Sequence, residues 1–367
     1  MVDLDDTPAL LNADRDGLLR HAAMAGATVR ATAAAVEEGA LESLAADQRP
    51  RTVIWLARRG PAETAGAMLS AVLGGSAGEP LVTAAQAPTW IGPLDVLVVA
   101  GDDPGDPLLA SAAATAVRRG ARVVVAAPYE GPLRDATAGR AAVLAPRLWT
   151  PDEFGLCRYL AAGLATLSAV DPGLATLGEG LNELADELDA EALRNSPDRE
   201  VFTNPAKALA NRMSGRRTVL AGDNPATLAL ARHGAAVLLR VGGQTTAAAG
   251  LADALVALRR AGAKRLVESA GRGAAHRFTD PVDALFHDEE IDGPLPARSR
   301  VLALTLADER AMLGARVEGM DDVDVVGVED VGEAGSVPAG SGGAEQQLAT
   351  LAVRIEMAAV YLGLAGG

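Results

Sequence analysis

The sequence predicts an α/β protein made of two similar parallel-sheet units in tandem, and three observations predict it. Short β-branched runs alternate with Ala/Leu-rich stretches, as in a parallel sheet whose crossovers are helices. Several of those helices carry their own start and stop residues. A short phrase also recurs, since Arg51-Thr52-Val53-Ile54 and Arg217-Thr218-Val219-Leu220 each open a unit.

Strands are expected at 52–56, 95–100, 122–126, 218–221, 236–241, 265–268 and 300–305, with a further short one at 81–83. Between 100 and 122, Asp106-Pro107 reads as N-cap and first helical residue, and Arg119-Gly120 as the helix end. Asn224-Pro225 opens a second such helix, and His233-Gly234 is expected to close it. Both segments are strand, loop, helix, glycine, strand units of the right-handed crossover kind. A helix carrying Glu179, Glu183, Asp186, Glu187, Asp189 and Glu191 separates the units; its acids should form a solvated face, with Leu181, Leu184, Leu188 and Leu193 turned inward. The expected boundaries are an N-terminal unit with a leading helix over 1–175, the acidic linker helix over 176–203, and a C-terminal unit over 204–367. Within the last, the Gly/Ser-rich stretch 332–343 predicts a flexible loop. Leu348, Leu351, Ile355, Ala359 and Leu362 predict a closing helix over 345–364.

Composition narrows the function classes. A chain of 367 residues suits two domains of about 150 each. With 33 Lys plus Arg against 48 Asp plus Glu, the net charge is −15, and no basic patch offsets it, which argues against nucleic acid or anionic lipid as a partner. Only 4 Phe, 3 Tyr and 3 Trp are present, so the core must be Ala, Val and Leu, and stacking-based recognition is disfavoured. The single cysteine, Cys157, excludes an intrachain disulfide and a cysteine metal cluster, in keeping with a reducing cytoplasm. No basic, apolar leader opens the sequence, and Gly, Pro or charge interrupts each apolar run, so a membrane span is not expected.

The motifs prune further. There is no G-x-x-x-x-G-K-[ST] loop and no G-x-G-x-x-G between a strand and a helix, and His21, His233, His276 and His287 lack metal-ligand spacing. Neither a metal nor a nucleotide cofactor is expected. Gly74-Gly75-Ser76-Ala77-Gly78 matches a nucleophile elbow, but it follows a helix and precedes a strand, the reverse of what an elbow needs, so it reads as a glycine-rich helix stop. Gly101-Asp102-Asp103-Pro104-Gly105-Asp106 follows a buried strand, where a parallel sheet's ligand crevice opens. Its carboxylates could hold a cation or a sugar hydroxyl; an N-cap and a turn explain the same residues. The segment from Glu268 to Gly293 holds Glu268 at an expected strand end, then Arg272, His276, Arg277 and His287-Asp288-Glu289-Glu290. A carboxylate base and a histidine across one pocket can move a proton between adjacent sugar carbons. A salt-bridged surface loop is the other reading of that segment.

These residues resemble the double-SIS (sugar isomerase) proteins of the bifunctional phosphoglucose/phosphomannose isomerase family, in particular its actinobacterial TobH-like subgroup. The resemblance spans nearly the whole chain. It lies in the order of Asn204-Pro205-Ala206-Lys207, Val267-Glu268-Ser269-Ala270, His287-Asp288-Glu289 and Ala358-Ala359-Val360-Tyr361-Leu362-Gly363-Leu364. It implies two tandem SIS-like domains, each a mainly parallel sheet flanked by helices. It also implies metal-independent aldose-ketose isomerisation of a hexose phosphate through an enediolate, and a homodimer. On it, Glu268 corresponds to the base, His287 to the ring-opening histidine, and Arg158 to the arginine that stabilises the enediolate, with Arg147 second.

The departures are informative. SIS domains place Gly-Gly-Ser after the first strand and Ser-x-Ser-Gly-x-Thr after a later one. Here those positions read Ala57-Arg58-Arg59-Gly60-Pro61 and Gly101-Asp102-Asp103-Pro104-Gly105. Carboxylates replace hydroxyls where a phosphate would sit, a repulsion of order 1 kcal/mol that Arg58 and Arg59 would partly offset. Asp102, with Arg58 and Arg59, completes the expected substrate-binding set. A functional lysine that the family carries beyond its last helix has no counterpart here. Two readings stand: an isomerase of glucose 6-phosphate or mannose 6-phosphate, and a regulatory relative that binds a sugar phosphate or a mannose-pathway enzyme without turnover.

Overall fold

The computed structural model describes residues 2–45, 49–271, 299–330 and 342–366. Helices α1 (Thr7–Ala13), α2 (Leu18–Ala22) and α3 (Ala25–Glu37) lead into β1 (Thr52–Leu56), α4 (Gly60–Leu73) and β2 (Leu81–Ala84). Then come β3 (Asp95–Ala100), α5 (Pro107–Arg118), β4 (Arg122–Ala126), α6 (Gly131–Thr137), β5 (Ala141–Val143) and α7 (Leu156–Val170). Helices α8 (Ala175–Glu179), α9 (Leu181–Arg194) and α10 (Pro205–Met213) connect to β6 (Arg217–Gly222), α11 (Pro225–Arg240), β7 (Ala247–Gly250) and α12 (Leu251–Gly271). The chain continues through β8 (Ser299–Leu304), the helix Arg310–Val317 and β9 (Val323–Val326) to the C-terminal helix Ala344–Gly366.

The strands form two separate sheets, β2-β1-β3-β4-β5 and β7-β6-β8-β9, with every pairing parallel. The second order repeats the first without its last strand, as the duplication predicts. Side-chain alternation then builds the layers. Val53, Trp55, Val96 and Val98 of the first sheet and Leu220, Leu302 and Leu304 of the second enter one central core. That core is filled by α3, α4, α7, α11 and the C-terminal helix. Ile54, Leu56, Leu97 and Val99 face outward onto α5 and α6, and Ala221, Val301 and Ala303 onto α12 and the helix Arg310–Val317. The two sheets thus flank a shared helical layer, with α11 packed directly on α4.

The sequence misjudged several elements. Residues 236–240 lie in α11, with Val241 its C-cap, and 265–268 lie in α12. A short apolar run such as Ala236-Val237-Leu238-Leu239 fits a buried helix as well as a strand. Gly234 does not stop α11; a Cβ there would stand 2.7 Å from Leu220 Cδ1 and 2.9 Å from Ile355 Cγ2, so its role is to let helix, sheet and C-terminal helix approach. Strands β5, β7 and β9 were missed. In α9, Glu183 and Asp186 are exposed as expected, but Glu191 is fully buried and Leu193 is 69% exposed. Glu191 accepts from Arg354 (2.7 and 3.2 Å), which also donates to the carbonyls of Gly327 (2.8 Å) and Val328 (3.1 Å). This buried clasp ties linker, C-terminal helix and second sheet together. The C-terminal helix is, among the described residues, the one long and apolar enough to cross a bilayer, and 83% of its most apolar window is buried in the core. The expected loop at 332–343 falls mostly outside the described residues.

Candidate functional site

The C-terminal ends of parallel strands gather loops and helix N-termini, so the first sheet's end is built from the chain that follows β1 and β3. Arg58 and Arg59 follow β1 and lead into α4; Asp102, Asp103 and Asp106 follow β3 and lead into α5. Of these, Arg58, Arg59, Asp103 and Asp106 line an open cleft of 460 Å³ together with Pro107. Asp106 caps α5, accepting from Leu108 N (2.8 Å) and Leu109 N (3.4 Å), as the Asp-Pro signal predicted. Its other oxygen takes a 2.6 Å bond from Arg58. Burial works against the charge, yet those amides and Arg58 hold the Asp106 carboxyl below its usual range. Arg59 pairs with Asp102 at 3.1 Å. The helix N-terminus that an SIS phosphate loop would offer an anion is therefore filled by the chain's own carboxylate.

Next to this cleft, the 3₁₀ turn Asp152–Phe154 starts α7. Glu153 is bound by Arg240 of α11, so the second half of the chain closes one side of the region. Burial, then the nearby Asp102 charge, pushes the Asp152 carboxyl above its usual value, with Arg240 and Arg158 opposing. Arg158 lies with its guanidinium carbon 4.1 Å from the Tyr159 ring centre. Burial pushes the Tyr159 hydroxyl up to about 12.

The structure brings four of the six expected site residues into one region: Arg58, Arg59, Asp102 and Arg158. The alternative arginine, Arg147, is tied to Glu38 at the exposed surface. Glu268 does not stand at a strand end, because its backbone is helical within α12. His287 lies outside the described residues, as do Arg272, His276 and Arg277. Sequence reasoning missed Asp152 and Tyr159; Asp152-Glu153 directly before a helix was the available signal, though a generic one. Among the described residues no group of three or more His, Cys, Asp or Glu could hold a metal ion. The Gly74-to-Gly78 elbow match is, as expected, the end of α4 before β2.

The second sheet's end differs. Asn224 caps α11 through a reciprocal box with Thr227 and is held by Glu309 at 2.7 Å, while Asp223 pairs with Arg316. A Cβ on Gly222 would lie 2.2 Å from Leu228 N, so α11 presses directly on the strand end. Lys207 is likewise structural, its amine donating to the Pro197 (2.8 Å) and Arg199 (2.7 Å) carbonyls.

No protein-family model matches this chain, and no curated protein matches it in sequence. Solved structures do match over its whole length. A glucose-6-phosphate isomerase-like protein from Thermus thermophilus is 20% identical with a TM-score of 0.52, covering 100% of this chain and 96% of that one. Tagatose-6-phosphate ketose/aldose isomerase from Escherichia coli is 13% identical with a TM-score of 0.58, covering 95% and 93%. The C-terminal domain of glucosamine-fructose-6-phosphate aminotransferase from Francisella tularensis is 10% identical with a TM-score of 0.52, covering 96% and 98%. The fold is the double SIS architecture.

Proposed function

We propose that this chain binds a hexose 6-phosphate and catalyses its aldose-ketose isomerisation, in an N-terminal SIS-like domain over 1–175 joined by a linker helix over 176–203 to a C-terminal one over 204–367. The observation that carries the reading is Arg158, a guanidinium that closes no ion pair with a carboxylate among the described residues, near Asp152 and Asp102 at the end of the first sheet. Structures of the same fold include proteins named for phosphosugar isomerisation, which supports the reaction class. In this mechanism Glu268 removes the proton from the carbon beside the carbonyl and returns it to the neighbouring carbon. Arg158 holds the negative charge of the enediolate between the two transfers, and His287 opens the sugar ring. Arg58, Arg59 and Asp102 hold the substrate. We further propose a cytoplasmic homodimer; light scattering at the monomer mass of 37.3 kDa would argue against the dimer.

A second reading has its own support. Asp106 and Asp102 neutralise the two arginines nearest the expected phosphate cradle, which suits a regulatory relative that binds a sugar phosphate or a mannose-pathway enzyme without turnover. A coupled assay with glucose 6-phosphate, mannose 6-phosphate and fructose 6-phosphate separates the two. Turnover abolished by Glu268→Gln supports the isomerase, and saturable binding without turnover supports the regulator.

A further inference from the structure

The helical layer shared by the two sheets holds an ionisable pair that the proposed reaction does not use. His233 of α11 and Glu356 of the C-terminal helix are 4% and 1% exposed, and His233 Nε2 lies 2.8 Å from Glu356 Oε1. The two helices meet closely at this point, because Gly234 packs against Ile355, the residue before Glu356. The joint is central to the molecule, since α11 lies on α4 of the first unit and on β6 of the second.

Little else is available to stabilise a charge there. Glu356 Oε2 has no hydrogen-bond partner among the described residues, and His233 is the one group among them that forms an ion pair with this carboxyl. From α7 comes Cys157, whose thiol donates to the Ala349 carbonyl at 3.8 Å; burial, then the Glu356 charge, pushes that thiol up. Arg354, on the same helix as Glu356, is engaged by Glu191 and by the carbonyls of Gly327 and Val328. The titratable groups facing Glu356 are therefore His233 and Cys157. A carboxylate beside a neutral imidazole would place a full negative charge among apolar helices, which is costly. One proton on the pair removes that charge, whether it sits on the carboxyl oxygen or on the imidazole nitrogen, because both forms are uncharged overall.

We propose that the proton shared by His233 and Glu356 is a pH-operated latch between α11 and the C-terminal helix, holding the joint of the two units closed while it is present and loosening that joint when alkaline pH removes it. The inference stands apart from the hexose-phosphate reading. Burial pushes the Glu356 carboxyl above its usual value of 4.5, with His233 opposing, which agrees with it. A carboxyl whose folded-state value is raised contributes its full stability below the unfolded value and loses it as pH rises through the folded one. Glu191 has the opposite sign, because Arg354 holds its carboxyl down against burial. The C-terminal helix therefore carries two ties, one lost in acid and one lost in base.

The test is chemical denaturation of the full chain from pH 5 to pH 9, wild type beside Glu356→Gln, which keeps a hydrogen-bonding group opposite His233 and has no carboxyl to ionise. The ratio of the wild-type unfolding constant to that of the variant should climb with pH, by up to about tenfold per unit. A double variant, His233→Leu with Glu356→Met, replaces the pair by apolar residues of similar volume and should show the same climb at the alkaline end, so the test does not depend on one variant folding. Hydrogen exchange at pH 9 locates the effect: amides of the C-terminal helix should exchange about tenfold faster in the wild type than in Glu356→Gln, with β1 and β3 equally protected in both. A ratio that stays constant or falls as pH rises would overturn the inference. Equal acceleration of β1, β3 and the C-terminal helix would overturn it too, since the proton would then stabilise the whole fold rather than one joint.

Discussion

The two sheet ends share a topology and have opposite finishes. After β6, Gly222 lies hard against α11, Asn224 fills the helix N-terminus, and Asp223 and Glu309 are engaged by Arg316 and Asn224. After β1 and β3 the chain leaves an open 460 Å³ cleft lined by Arg58, Arg59, Asp103 and Asp106. Copying a sheet therefore copies the scaffold and leaves the loops free to diverge. Among the described residues, an open cleft lies at the first sheet's end.

The largest expected effect comes from unlocking the closed end. Arg354 holds the carbonyls of Gly327 and Val328 beyond β9 and pairs with Glu191. Arg354→Ala leaves the buried Glu191 with only Arg194 and Asn195 as side-chain partners and takes the donor from the Gly327 and Val328 carbonyls, and should cost about 3 kcal/mol in chemical denaturation. Burial opposes ionisation of Glu191, yet Arg354 and Arg194 hold its carboxyl below the usual value of 4.5. Its stabilisation is therefore present above that value and lost as pH falls through the lowered one; Glu191→Gln should flatten this part of the acid-stability profile. Gly222→Ala comes next, at about 2–3 kcal/mol, because the added methyl meets backbone that cannot rotate away.

Legibility followed chemistry. The strands at 52–56, 95–100 and 122–126 were read from Val/Ile/Leu runs and match the structure residue for residue. Ala247–Gly250 has no β-branched residue and pairs only because β6 lies beside it, so no local signal announced it. Gly234 was read as punctuation because a sequence does not show what packs on a glycine. At the site, the charged side chains were legible as types and loop positions. Their pairing was not, because Arg58 with Asp106 and Arg59 with Asp102 are long-range facts of the sheet order.

At the open end the effects are smaller. Asp106→Ala should lose the α5 cap for about 1 kcal/mol. Asp106→Ser keeps a cap but frees Arg58, so its affinity for a hexose phosphate should rise several-fold in calorimetry; an unchanged affinity would mean that the carboxylate is not standing in for phosphate. Arg59→Ala removes an exposed ion pair and should change melting stability by no more than about 0.5 kcal/mol, while weakening sugar-phosphate binding if the cleft is the site.

The central claim is that this doubled fold handles hexose 6-phosphates through the open end of its first sheet. The most direct measurement is a coupled isomerase assay of the purified full chain with glucose 6-phosphate and mannose 6-phosphate, run beside calorimetric titration. The account predicts saturable binding with turnover to fructose 6-phosphate that Glu268→Gln abolishes. Absence of both turnover and binding for every hexose phosphate would contradict it.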